Sequence, residues 1–269
     1  MKIYFTFCLF FIGGFTVAQH EAKQIPMEYF KKYSYLLLGI KPKTNQIGTY
    51  FQHATCFFVR YKSELILITA KHAITGLSTS DLKPKAQQFD TLAIAYAEKS
   101  KPKYATMIIT SIKSLLPDNY FYEDPDMAII QFSDTSLKKN VFSLEEYIYE
   151  EKGEDEIIDS VFSFGYPRSG QNLTGNRIIK PELYKGNLAD IIHIDPYYPK
   201  NDALYFVTTP AATEGMSGSP VFFKCHSINS GQQRIVFGGI VFGGSSKYNS
   251  AYIVPAKTVL QALKKFIHG

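Results

Sequence analysis

The chain has 269 residues, 45% of them hydrophobic and 15% aromatic, which is enough apolar material for one large domain or two small ones. Its formal charge is only +5, from 29 basic and 24 acidic residues, and no long Lys/Arg run stands out, which argues against a nucleic-acid partner. Of three cysteines only Cys56 and Cys225 lie beyond the apolar start, too few for a disulfide framework, so the fold must rest on its core.

The first element reads as separate from the fold. Met1-Lys2 supplies a positive start, and Ile3 to Ile12 is nearly all apolar. Gly13-Gly14 breaks the run, and Thr16-Val17-Ala18 presents small residues. This is the pattern of a secretory signal peptide over residues 1–18, too short for a spanning helix, with an uncleaved anchor as the alternative. The expected mature chain, Gln19 to Gly269, is then secreted or periplasmic and has no membrane span. Cys56 and Cys225 remain in it, either as buried free thiols or as a disulfide that export would permit.

Strands dominate the rest of the chain. Thr55 to Tyr61 and Glu64 to Ala70 are rich in β-branched, aromatic and aliphatic residues, and the short turn between them predicts a hairpin. Leu92 to Ala97 and Met127 to Phe132 are further candidates. An acidic stretch from Glu145 to Glu156 reads as a solvated linker and divides the chain into residues 19–145 and 146–269. Beyond it, Ile157 to Phe164, Ala203 to Thr209, Val221 to Lys224, Arg234 to Phe242 and Ser250 to Val254 read as strands. Many short strands separated by Gly, Pro and Asn predict an all-β barrel or sandwich. After Pro255 the pattern changes. Val259, Leu260, Leu263, Phe266 and Ile267 fall on one face of a helix, with Lys264 and Lys265 in its last turns, where cations favour the dipole.

Three segments carry chemistry. Thr69-Ala70-Lys71-His72 and Asp126-Met127-Ala128-Ile129 each join a buried-strand pattern, and Gly215-Met216-Ser217-Gly218-Ser219-Pro220 lies further on. A hydroxyl is a poor nucleophile at neutral pH; it needs a base to take its proton and a third group to hold that base. The order His, Asp, Ser separates one such arrangement from the subtilisin and α/β-hydrolase orders. Ser219 also breaks the G-x-S-x-G pattern of the hydrolase elbow. The other histidines, His20, His53, His193, His226 and His268, sit in no recognised motif and read as structural or surface residues. Asp124 rivals Asp126, but it precedes Pro125 and reads as a loop residue.

At these residues the chain resembles the trypsin-like serine proteases of the chymotrypsin fold, over roughly Thr49 to Lys264. The segments are similar to the family's T-A-x-H, D-[IL]-A-[LV] and G-x-S-G-G-P, and Gly165-Tyr166-Pro167 is similar to a turn of its bacterial secreted members. The resemblance implies two six-stranded antiparallel β-barrels with a C-terminal helix and no further peptide-binding domain. It implies Ser217 as nucleophile, His72 as general base and Asp126 as the acid that orients it. The backbone N–H groups of Gly215 and Ser217 would form the oxyanion hole. Ala211 would lie at the base of the primary pocket, with Phe242, Gly243 and Gly244 along the strand that lines it. An uncharged Ala211 implies an apolar or small side chain before the scissile bond.

Three departures accompany the resemblance. Met216 stands where animal members carry an Asp that pairs with a freshly cut N-terminus. Ser219 replaces a Gly, and Phe242 replaces a Ser that often contacts the catalytic Asp. No H-E-x-x-H, C-x-x-C, acidic Ca²⁺ loop, P-loop or G-x-G-x-x-G after a strand is present, so no metal or cofactor is expected. The expected partners are protein or peptide substrates. The alternatives are a catalytically silent binding module on the same fold and a small-ester hydrolase.

Overall fold

The computed structural model describes residues 25–42, 49–61, 63–75, 91–111, 126–132, 134–148, 151–167, 180–192 and 205–268. The expected signal peptide, Asp124, His20 and His193 lie outside these residues.

A 3-10 helix, Met27–Tyr33, leads into β1 (Ser34–Pro42). Next come β2 (Thr49–Tyr61), β3 (Glu64–Thr69), a short helix Lys71–Thr75, β4 (Thr91–Glu98), β5 (Lys101–Ser111) and β6 (Ala128–Phe132). They form one antiparallel sheet in the order β5-β4-β1-β2-β3-β6. The expected hairpin is β2 with β3, with Phe57 opposite Ile68 and Val59 opposite Ile66.

These strands read as unbroken apolar runs because both their faces are covered. Period-two alternation sends Cys56, Phe58, Leu65 and Leu67 to one apolar cluster within the curled sheet. Phe57, Val59, Ile66 and Ile68 point the other way, into a cluster that also holds Phe162, Phe222 and Phe237 of the second sheet. A fully buried side chain of this size contributes roughly 1.5–3 kcal/mol. The core is therefore shared between the sheets, and each needs the other.

The second sheet comprises β7 (Glu156–Gly165), β8 (Glu182–Ile192), β9 (Tyr205–Thr209), β10 (Pro220–Ser227), β11 (Gln233–Ser245) and β12 (Ser250–Pro255). It closes into a barrel in the order β10-β11-β12-β9-β8-β7. The first sheet also has six strands and is a curled half-barrel, so the two expected six-stranded antiparallel units are both present, the second closed and the first open. The C-terminal helix forms as Ala256–His268 and buries Val259, Leu260 and Leu263, while Lys264 and Lys265 stay exposed.

One expectation is corrected in detail, and an open alternative is resolved. The acidic stretch is not simply a solvated linker. Glu145–Ile148 is a helical turn that buries Tyr147 and Ile148. Glu156 is only 8% exposed and accepts a hydrogen bond from Arg234 Nη2 at 2.9 Å. The cysteines are both free and buried, and burial pushes the Cys225 thiol up to about 11.

The segment ahead of β1 also ties the sheets together, which the sequence did not announce. Phe30 is fully buried, 4.5 Å from the Phe222 ring and 4.9 Å from the Tyr147 ring between centroids. The Ser34 hydroxyl then donates to Phe164 O at 2.7 Å, and the Tyr166 hydroxyl returns a bond to Ser34 O at 3.2 Å. No helix among the described residues is long and apolar enough to cross a membrane.

Candidate active site

β3 runs out at Thr69, and the chain turns through Ala70 into the short helix that carries His72. On the neighbouring strand Ala128 pairs with Thr69 and Ile129 with Ile68. Antiparallel pairing then carries Asp126, just ahead of β6, alongside the start of that helix. His72 Nδ1 lies 2.6 Å from Asp126 Oδ2, and the His72 backbone N–H donates to Oδ1 at 3.0 Å. One carboxylate thus holds both the ring and the backbone of the same residue.

Both groups are withdrawn from water, His72 with 12% of its side chain exposed and Asp126 with 6%. Burial pulls the imidazole pKa down. The charge and hydrogen bond of Asp126 outweigh that and hold it above the usual histidine value. With the carboxylate accepting from Nδ1–H, the neutral ring presents its lone pair at Nε2.

The serine loop is built from the other sheet. Gly215 (φ 97°) and Gly218 (φ 86°) take left-handed backbone conformations that other residues adopt only with strain. Ser219 N–H donates to Met216 O at 3.0 Å and closes the turn between them. Gly218 N–H donates to Val241 O at 2.7 Å, and Val241 N–H to Ser219 O at 3.0 Å, which pins the turn to β11. Met216 is buried under Gly165, where an added Cβ would lie 2.6 Å from its sulfur. Met216 therefore anchors the loop by an apolar contact. Among the described residues, the backbone N–H groups of Gly215 and Ser217 donate to no protein acceptor.

This loop is docked on the strands that lead to His72. Thr55 N–H donates to Ser217 O at 2.9 Å, and the Thr55 hydroxyl donates to Gly215 O at 2.8 Å. The Thr69 hydroxyl donates to Thr55 O at 2.7 Å. The approach is closest at Gly218, where a Cβ would lie 2.0 Å from Thr55 O, 2.3 Å from Thr69 Oγ1 and 3.0 Å from Ala70 N. The structure therefore draws together the two loops that carry His72 with Asp126 and Ser217.

The remaining sequence candidates have different surroundings. Ala211 is half-buried, and its N–H donates to Asn249 Oδ1 at 3.1 Å. Gly244 is exposed but close-packed on one side; a Cβ there would lie 3.1 Å from both Ala212 O and Ser250 O. Gly243 is buried and pairs with Tyr252. Phe242 is fully buried, its ring 5.1 Å from Tyr205 and 6.0 Å from Tyr252, so its side chain belongs to the core rather than to an open pocket. A second His–Asp pair, His226 Nδ1 with Asp159 Oδ1 at 2.5 Å, lies at the end of β10 away from the serine loop. Among the described residues, no group of three His, Cys, Asp or Glu is placed to hold a metal ion.

Thr55 and Asn249 were not singled out from sequence, and Thr69 and Tyr166 entered only as motif members with no role of their own. The one signal for Thr55 is a hydroxyl inside a strand that is otherwise apolar.

No protein-family model matches the chain, and no curated protein matches it. Among solved structures it is similar to the crystal structure of the Rv3671c protease from M. tuberculosis in its active form. The TM-score is 0.53 at 14% identity, over 88% of this chain and 82% of that one. The likeness establishes a chymotrypsin-like fold.

Proposed function

We propose that the protein is a secreted or periplasmic serine endopeptidase acting at this site. The observation that carries the reading is the double hold of Asp126 on His72 beside a glycine-flanked serine loop docked on the same strands. Ser217 attacks a peptide carbonyl as His72 Nε2 takes its proton. The imidazolium so formed is stabilised by Asp126. His72 then gives the proton to the leaving amine, and water hydrolyses the acyl-enzyme by the same route in reverse.

Charge develops on the carbonyl oxygen only in the transition state. The N–H groups of Gly215 and Ser217 answer it, and losing one such donor typically costs on the order of 10²–10³ in rate. Among the described residues the His72 ring bonds Asp126 alone. In the proposed reaction Ser217 must present its Oγ–H to His72 Nε2, a bond that catalytic sites often form only with substrate in place. The uncharged Ala211 and the close approach of Gly244 to Ala212 favour a small or apolar residue before the scissile bond.

The test is digestion of a peptide library, read by mass spectrometry, with the chain beside its Ser217→Ala form. Cuts made only by the unmodified protein support the reading and give the side-chain preference. Cleavage of small esters but not peptides would favour a small-ester hydrolase, and no cleavage of either would favour a silent binding module.

A further inference from the structure

We propose that Thr55 is a positioning residue, whose hydroxyl sets the serine loop in register with the His72 strand. The inference rests on Ser217 acting as the nucleophile. Thr55 is fully buried at the junction of three segments distant in sequence. Its hydroxyl donates to Gly215 O at 2.8 Å and accepts from the Tyr166 N–H at 2.9 Å. Its N–H donates to Ser217 O at 2.9 Å, and its carbonyl accepts from the Thr69 hydroxyl at 2.7 Å. Every polar atom of this one residue is committed, and two of its four bonds go to the loop bearing Ser217.

The consequence comes from peptide planarity. Fixing a carbonyl fixes the N–H across the same peptide, which points the opposite way. Thr55 holds the carbonyl of the 215–216 peptide through its hydroxyl and that of the 217–218 peptide through its backbone. The Met216 carbonyl between them accepts from Ser219 N–H at 3.0 Å, so the Ser217 N–H points away from that bond. Three consecutive planes are thereby set, and with them the Ser217 N–H and the Ser217 Cα–Cβ direction. The reference point is the β2–β3 hairpin, whose end carries His72. Side chain and backbone of Thr55 divide the task, and only the side chain can be removed by substitution.

The residue also accounts for the register of the turn at Tyr166. The hydroxyl that donates to Gly215 accepts from Tyr166, so one rotor satisfies two buried backbone groups. Valine has the same shape but satisfies neither. Serine restores both bonds and gives up only a methyl group.

The experiment compares Thr55→Val and Thr55→Ser with the unmodified protein. It uses a peptide found by library digestion and the trifluoromethyl ketone built on that peptide's acyl side. Thr55→Val is expected to lose about 10²-fold in kcat, the scale of a misplacement of about 1 Å, with KM little changed. The ketone, which mimics the tetrahedral adduct, should weaken by the same factor as kcat/KM, while the cleaved product peptide binds as before. Thr55→Ser should recover the rate to within about fivefold.

Unchanged kcat in a folded Thr55→Val protein overturns the proposal. So does equal loss in both variants that follows thermal stability, because that marks packing alone. Should Thr55→Val not fold, the proposal turns on Thr55→Ser and Thr55→Cys. A loss confined to Cys supports it, and equal rates overturn it. If the unmodified protein neither cleaves peptide nor binds the ketone, it is the reading of Ser217 that has failed.

Discussion

Asp126 grips His72 at two points, the ring through Oδ2 at 2.6 Å and the backbone N–H through Oδ1 at 3.0 Å. A bidentate hold of this kind restrains the ring and the segment that bears it. It also sets the pH at which the ring can serve as a base. Burial lowers the His72 pKa, and Asp126 raises it by more, so the net direction is upward. The acidic limb of kcat/KM is therefore expected above the ordinary histidine value of about 6.5. Asp126→Asn should move that limb down and cut turnover by about 10⁴-fold, the loss known for this substitution in the template of such chemistry. A pH–rate profile of both proteins checks it.

The same shift predicts a stability effect of defined sign. A folded-state pKa above the unfolded one stabilises fully below the unfolded value and is lost as pH rises through the folded value. His72→Gln should therefore lose more stability, relative to the unmodified protein, at pH 5 than at pH 9. Urea unfolding at the two pH values measures the difference.

Two glycines with positive φ should respond very differently to alanine. Gly218 has φ 86°, and its added Cβ would meet Thr55 O at 2.0 Å. Strain and overpacking act together there, and Gly218→Ala should cost about 3 kcal/mol or more, or prevent folding. Gly231 has φ 68° and nothing within 4 Å of its added Cβ. Gly231→Ala should cost only the conformational term, about 1–2 kcal/mol. Denaturant melts of the pair separate the two effects.

How far the sequence speaks depends on where each strand's energy comes from. The β2–β3 hairpin was legible from two apolar, β-branched runs joined by a short turn, and the helix Ala256–His268 from apolar positions on one face. β8 was missed. It is largely exposed and carries Glu182, Lys185 and Asp190, so its pairing with β7 and β9 sustains it rather than any pattern of its own. β1 was also missed, although Ser34–Gly39 is buried throughout. The His72–Asp126 pairing was implied by motif resemblance. The Thr55 and Asn249 bonds link positions far apart in the chain, 160 residues in one case and 38 in the other, and no local pattern records them.

Phe30 tests the idea that the sheets share one core. Its ring sits 4.5 Å from Phe222 and 5.6 Å from Phe162, although it precedes the first strand. Phe30→Ala should cost about 3–5 kcal/mol, as for other buried aromatic truncations. A cost below about 1 kcal/mol in urea unfolding would mean that the segment only rests on the surface.

Activation of Ser217 by His72 is read most directly by covalent labelling with a fluorophosphonate at pH 8. The adduct is mapped by mass spectrometry in the unmodified protein and in the Ser217→Ala and His72→Ala variants. The expected result is one adduct, on Ser217, formed only when His72 is present. An unlabelled protein, an adduct on another residue, or equal labelling without His72 would contradict a His72-activated nucleophile at Ser217.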